Sequence, residues 1–266
     1  ARNGSYASTG EGYPVVLVNG LGNLKEAWRE TIASFSRYFR VIGYDYRNQG
    51  KDIAGHGSDY DVSRHAQDLD ALARHLGLER FAGIGISTGT RILVEYAEHH
   101  PDRVGALAVM GLATENLAHR NRVIFSSWLA ALARSTDDNL VPYVETYIPW
   151  IYGPDHLSAG PVPVEQIAAG LAATMTVAGT AANIAATRRS LGPRAGAETR
   201  PIAAPTLILQ GEYDLMCPPG CLRGLSERFL DHRLEVVARA GHNIRGERRE
   251  EFERLALKFL LDDLGL

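Results

Sequence analysis

Short unbroken apolar runs alternate along this chain with stretches in which apolar residues recur at helical spacing. Residues 14–18 form a continuous apolar run, the pattern of a parallel strand covered on both faces. A helical stretch follows over about 24–38, then a strand at 41–44 and a Gly-rich loop reaching Gly57. The next helix, 61–76, places Val62, Ala66, Leu69, Ala73 and Leu76 on one stripe and charged residues on the other face. The apolar segment 80–84 predicts a buried strand, 91–98 a helix stopped by Pro101, and 103–110 another strand. Residues 114 to about 200 break this rhythm: they are Ala-rich, helical in pattern, and carry Trp128, Tyr143, Tyr147, Trp150 and Tyr152. The alternation resumes with a strand at 206–210, a helix near 219–230, a strand at 234–237 and a terminal helix over 247–261.

Strands and helices in this order predict an α/β fold with a mostly parallel central sheet flanked by helices. A length of 266 residues without internal repeats fits one sheet domain, 1–113 and 201–266, carrying a helical insertion at 114–200. Hydrophobic content of 45% and charged content of 22% are ordinary for a soluble protein with a substantial core. A net charge of −3 gives no electrostatic reason to expect nucleic acid or an anionic membrane as partner. No apolar run approaches the roughly 18 residues needed to span a bilayer. Residues 1–6 have no apolar signal-peptide core. Cys217 and Cys221, separated by Pro-Pro-Gly, are expected as free thiols in a reducing compartment, which makes the cytoplasm the expected location. They make a poor metal site without further ligands, and none is expected at His99-His100 either.

The candidate chemistry centres on Gly85-Ile86-Ser87-Thr88-Gly89, lying between the 80–84 strand and the helix that follows. A Ser with Gly at both second neighbours on such a turn has the pattern of a nucleophile elbow. A hydroxyl at neutral pH needs a base, and the base needs an orienting carboxylate. His242, in the loop between the 234–237 strand and the last helix, is the candidate base. Asp214, just past the 206–210 strand, is the candidate acid, with Glu212 and Glu115 as competitors. All three fall beyond strand ends, where open α/β sheets place their sites, in the order Ser, Asp, His. The backbone N–H groups of Thr88 and of Leu21, in Asn19-Gly20-Leu21-Gly22, are the candidate oxyanion donors.

From about residue 12 to the C-terminus, these segments together resemble the α/β-hydrolase fold family of the serine-nucleophile type. The matching pieces are Asn19-Gly20-Leu21-Gly22, Asp45-Tyr46-Arg47-Asn48-Gln49-Gly50, the elbow, Gly211-Glu212-Tyr213-Asp214 and Gly241-His242. The resemblance implies Ser87 as nucleophile, Asp214 as acid, His242 as base, and Leu21 and Thr88 as oxyanion amides. It implies that 114–200 is a lid, with Trp128, Tyr147, Trp150 and Met175 lining a pocket for an apolar acyl group. Arg120 and Arg122, at the start of that segment, are exposed charges or greet an anionic group. No cofactor and no metal is implied. Two departures stand out: Asn19 replaces the family's usual His beside the oxyanion loop, and Arg47-Asn48-Gln49-Gly50 replaces an Arg-Gly-x-Gly turn. Asn tolerates a left-handed backbone, so that turn is expected to persist.

The expected function is a serine-dependent hydrolase of an ester or thioester of an apolar carboxylic acid. Its partner would be a small-molecule acyl substrate, free or carrier-bound. The Arg-Asn-Gln-Gly variant resembles family members found beside natural-product assembly pathways, which keeps acyl transfer to another acceptor open. A C–C bond hydrolase or perhydrolase uses the same triad. A non-catalytic binding protein is the reading from another class.

Overall fold

The computed structural model describes residues 5–50, 55–191 and 200–266. Residues 51–54 of the Gly-rich loop and 192–199 at the end of the expected insertion lie outside the described residues. Among the described residues seven strands form one sheet: β1 (Tyr6–Thr9), β2 (Pro14–Val18), β3 (Arg40–Tyr44), β4 (Phe81–Ile86), β5 (Val104–Met110), β6 (Thr206–Gly211) and β7 (His232–Val237). Their spatial order is β1-β3-β2-β4-β5-β6-β7, and every pairing except β1 with β3 is parallel.

The apolar runs account for the sheet's position. Every residue of β4, β5 and β6 is buried, as strands covered on both faces must be. Successive side chains point to opposite faces, so β2 supplies Val16 and Val18 to one core and Val15 and Leu17 to the other. The first core is closed by α2 (Val62–His75) and α3 (Thr88–His99), the second by α1 (Arg29–Phe35) and the terminal α11 (Arg249–Leu264). Between β5 and β6 run α4 (Ala118–Leu132), α5 (Val141–Ile151), α6 (Pro154–Ala159), α7 (Val164–Thr174) and α8 (Val177–Arg189). These helices share a third apolar cluster that also takes in Leu21, Met216 and Cys217. Two short helices, α9 (Leu225–Arg228) and α10 (Ile244–Glu247), flank β7. Among the described residues no single helix is long and apolar enough to cross a membrane.

Three elements differ from expectation. Strand β1 is exposed at all four positions, so it offers no apolar pattern; it is held by its antiparallel ladder to β3. The helix expected near 219–230 is a 3-10 turn at Pro219–Cys221 followed by the single turn α9, with Gly224 at φ +68° between them. Pro218, Pro219 and the left-handed Gly224 prevent a continuous helix. The stretch expected as one helix over 24–38 opens as a 3-10 turn, Lys25–Trp28, and ends at Phe35.

A buried histidine lies between α2 and α8. His65 is fully buried and meets Tyr46 and Tyr60 edge-on at 4.7 and 5.1 Å. Burial, aided by the Arg47 guanidinium, pushes its pKa from 6.5 down to about 3. The unfolded chain therefore takes up a proton below pH 6.5 that the native protein refuses. The stability this neutral imidazole contributes is complete above pH 6.5 and is lost as pH falls toward 3, by up to about 1.4 kcal/mol per pH unit. Urea denaturation between pH 6.5 and 4 is expected to show a shallower loss of stability in His65→Gln than in the parent protein.

Two glycines give opposite predictions. A Cβ on Gly89 would lie 2.1 Å from Val18 O, whereas one on Gly170, exposed in α7, meets nothing within 4 Å. Gly89→Ala is expected to destabilise by on the order of 3 kcal/mol. Gly170→Ala is expected to stabilise by about 0.5–1 kcal/mol. Chemical denaturation of the two variants checks both signs.

Candidate active site

The site grows from the alignment of β2 and β4. These neighbouring strands are in register with Val18 opposite Gly85, so the Asn19–Gly22 loop emerges beside Ser87. The sheet extends from β2 toward β3 on one side and β4 on the other, and open α/β sheets bind ligands where strand order reverses in this way.

Ser87 occupies the turn from β4 into α3 with φ 55° and ψ −114°, a strained conformation for a residue bearing a Cβ. Packing enforces it. A Cβ on Gly85 would meet Leu93 Cδ1, Gly89 C and Thr90 N at 2.8–2.9 Å, so the helix can approach the strand only over glycine. Ser87 N donates to Met110 O at 2.9 Å, and the single Thr90 hydroxyl proton is shared between Met110 O and Gly85 O, 2.7 and 3.0 Å from Oγ1. The Thr88 amide, first in α3, has no carbonyl one turn earlier to bind.

The loop after β7 carries His242, buried beside Asp214. Nδ1 of His242 and Oδ2 of Asp214 are 2.8 Å apart, and Asp214 Oδ1 accepts from the amides of Met216 and Cys217, both at 2.8 Å. The carboxylate is thus fixed by backbone and holds the imidazole through Nδ1. The other ring nitrogen, Nε2, is buried without a partner. Glu212 instead accepts from the Arg239 amide, and Glu115 is exposed. Asp214, Cys217 and His242 also bring ligand-type atoms within 4.8 Å of one another. Burial and the neighbouring Asp214 carboxylate push the Cys217 thiol well up, keeping it protonated, and its S–H is directed at Gly111 O.

The loop opposite Ser87 is braced by residues the family pattern does not supply. Gln49 Nε2 donates to Gly20 O at 2.8 Å and to Asn23 O at 2.5 Å, while Asn19 Nδ2 donates to Leu24 O at 2.6 Å. The C=O and N–H of a trans peptide point oppositely. Drawing Gly20 O toward Gln49 therefore turns the Leu21 N–H away from Gln49. Gly20 makes the close approach: a Cβ there would lie 3.2 Å from Ser87 Cβ. Asn48 takes the expected left-handed conformation, at φ 57°.

Ser87, Leu21 and His242 line one narrow cavity of about 40 Å³. Its facing wall is Phe125 and Trp128 from α4, Tyr143, Tyr147 and Ile151 from α5, and Leu171 from α7. Trp128 and Tyr147, two of the four candidate pocket residues, line this cavity. Trp150 does not line this cavity; its ring lies 5.7 Å from the Arg120 guanidinium. Met175 is buried against Gly22 of the Asn19–Gly22 loop. Arg120 donates to Leu215 O and Met216 O, and Arg122 to Leu191 O, so both brace backbone.

A profile of the α/β hydrolase fold family matches residues 13–247. The chain belongs to the α/β hydrolase fold family. It is an enzyme family, and the hydrolases among its members include relatives of this chain. A protein of Yersinia enterocolitica named as the carbamate hydrolase RutD is 27% identical across 97% of this chain and 92% of its own length. The 3-oxoadipate enol-lactonase 2 of Acinetobacter baylyi is 26% identical across 88% of this chain and 84% of its own length. The crystal structure of MGS-M2, an α/β hydrolase from a Medee basin deep-sea metagenome library, superposes with a TM-score of 0.85. It is 22% identical and covers 97% of this chain and 94% of its own.

Sequence reasoning did not find Gln49 as a brace, nor Tyr152, Met216, Asn243 and Arg245 in the cavity wall. The strain at Ser87 is separable from its chemistry. Glycine accepts this backbone, whereas alanine inherits the strain, so Ser87→Gly is expected to be more stable than Ser87→Ala by about 1 kcal/mol, measured by denaturation.

Proposed function

We propose that this hydrolase-family chain acts through a Ser87–His242–Asp214 triad on a compact ester, thioester or related acyl derivative. The observation that carries the reading is the unpartnered Nε2 of His242, held by Asp214 on the opposite nitrogen and sharing a cavity with the strained Ser87. Nε2 takes the Ser87 proton as Oγ attacks the acyl carbonyl. The amides of Leu21 and Thr88 hold the oxyanion, with Gln49 fixing the orientation of the first. Collapse of the tetrahedral intermediate returns the proton from His242 to the departing alcohol or thiol. Water, deprotonated by the same imidazole, then releases the acid from the acyl-enzyme.

Residues 114–200 act as the lid over a core of 1–113 and 201–266. Support comes from α4, α5 and α7, which wall the cavity opposite Ser87. The apolar character of that wall supports an apolar acyl portion, and the small cavity favours a short one. Relatives named for carbamate and lactone hydrolysis widen the acyl derivatives to test.

The test offers p-nitrophenyl acetate through octanoate to the purified protein while its intact mass is recorded. Short chains are expected to turn over fastest. Ser87→Ala and His242→Ala are each expected to lower kcat by about 10⁴-fold or more. Gln49→Leu is expected to lower kcat about 10- to 100-fold with KM little changed, because it disturbs a donor used mainly in the transition state. Full activity in Ser87→Ala would overturn the mechanism. A single burst that leaves Ser87 acylated would replace hydrolysis by transfer to another acceptor.

A further inference from the structure

One cavity-lining group has no part in the triad chemistry. Arg245, in α10, lines the same cavity as Ser87 and His242. Its guanidinium lies over the Trp28 ring, 4.7 Å from the centroid, and one Nη donates to Ala27 O. Its Nε is buried with no hydrogen-bond partner. The chain neutralises comparable cations elsewhere: Arg47 pairs with Asp68 at 2.5 Å and Lys25 with Asp45 at 2.9 Å. Glu30 pairs with Arg249 at 2.9 Å, and Glu247 Oε2 accepts from the amides of Gly153 and Gly241, while its Oε1 is buried without a hydrogen-bond partner. Among the described residues no carboxylate forms an ion pair with Arg245.

A partly desolvated guanidinium without a counter-charge is costly, and an anion that enters with the substrate offsets that cost. Burial pushes the pKa of Arg245 down to about 10, which still leaves it charged at neutral pH. Tyr152 and Asn243 are its polar neighbours in the cavity wall, while Phe125, Trp128, Ile151 and Leu171 are apolar or largely so. The arrangement is a narrow slot with one fixed cation and a candidate nucleophile in the same small volume. A planar carboxylate suits the guanidinium fork, and the small cavity disfavours a bulkier, more strongly hydrated phosphate.

We propose that Arg245 is an anion anchor and that the substrate is a short acyl ester or lactone bearing a second, free carboxylate. This rests on the serine-hydrolase reading for its chemistry, but binding at Arg245 can be read without turnover. The carboxylate would sit against Arg245, with the scissile carbonyl between Ser87 and the Leu21 and Thr88 amides. The apolar wall would enclose the few methylenes between the two groups.

The experiment compares monomethyl adipate with methyl pentanoate by proton release in a pH-stat. In parallel, binding of adipate to Ser87→Ala and to Ser87→Ala combined with Arg245→Gln is measured by calorimetry. The parent protein is expected to favour monomethyl adipate about 10- to 100-fold in kcat/KM, the scale of one charged hydrogen-bonding contact. Arg245→Gln is expected to bring that ratio close to one, and Arg245→Lys to restore part of it. Adipate is expected to bind Ser87→Ala and to lose about 10-fold or more in affinity when Arg245 is also replaced. If Arg245→Gln does not fold, the Arg245→Lys ratio and adipate competition against methyl pentanoate in the parent decide the matter. Turnover of methyl pentanoate with no preference for the anionic ester would overturn the anchor and leave the serine mechanism standing. Arg245-dependent adipate binding without turnover of either ester would support the anchor and overturn the serine mechanism.

Discussion

Everything around the candidate site depends on the backbone at Ser87 being held where a side-chain-bearing residue does not rest by itself. A positive φ joined to ψ −114° is kept there by contacts on three sides. Met110 O from the neighbouring strand accepts from both Ser87 N and Thr90 Oγ1, Gly85 lets α3 close over β4, and Gly89 lets the helix start approach Val18 O. Strain of this size, about 1–3 kcal/mol, persists only where the surroundings over-determine it. The sheet supplies that surplus through strands buried along their whole length. The strained turn exposes a hydroxyl and leaves the Thr88 amide free of any helical partner, which are the two features acyl chemistry would draw on.

Replacement of the family's usual His by Asn19 has a structural answer one loop away. Asn19 closes its own loop onto Leu24 O, and Gln49 reaches across to hold both Gly20 O and Asn23 O. The same turn places Asn48 in a left-handed conformation, where its side chain binds Gly57 O, Tyr60 Oη and the His56 amide. The two departures from the family pattern therefore work together. A loop that has lost a His brace is held by a Gln delivered from a turn that has exchanged Gly for Asn.

What was legible in the sequence follows from what each residue's role depends on. Strands β4, β5 and β6 could be read because burial on both faces forces an unbroken apolar run. Strand β1 could not, since ladder hydrogen bonds to β3 impose no side-chain pattern and all its residues face solvent. The 219–230 segment has helical composition in part, yet its prolines and Gly224 override it. Ser87, Asp214 and His242 could be singled out as candidates because backbone geometry ties each to a strand end. Gln49 and Arg245 act through distant partners, Gly20 O in one case and Trp28 and Ala27 in the other, and no local pattern reports such partners. Trp150 shows the converse error: an aromatic in the right segment, but on a face that meets Arg120 instead of the cavity.

The helices between β5 and β6 are stitched to the loops that carry the site, one helix or junction to each loop. Arg120 of α4 binds Leu215 O and Met216 O in the Asp214 loop. At the end of α5, Ile151 O accepts from Asn243 N, and Gly153 N donates to Glu247, whose Oε2 also holds Gly241 N beside His242. Thr174, ending α7, donates to Gly22 O of the Asn19–Gly22 loop, and Thr187 of α8 meets Thr88 Oγ1 at 3.2 Å. At about 1 kcal/mol each, these bonds together would make wholesale displacement of the layer costly. Such a displacement would also disturb every loop of the site at once. Rotamer changes in Phe125, Trp128 and Leu171 break none of the bonds named here. Those three side chains, unlike the helices that carry them, can therefore change shape at the wall without loosening the loops of the candidate site.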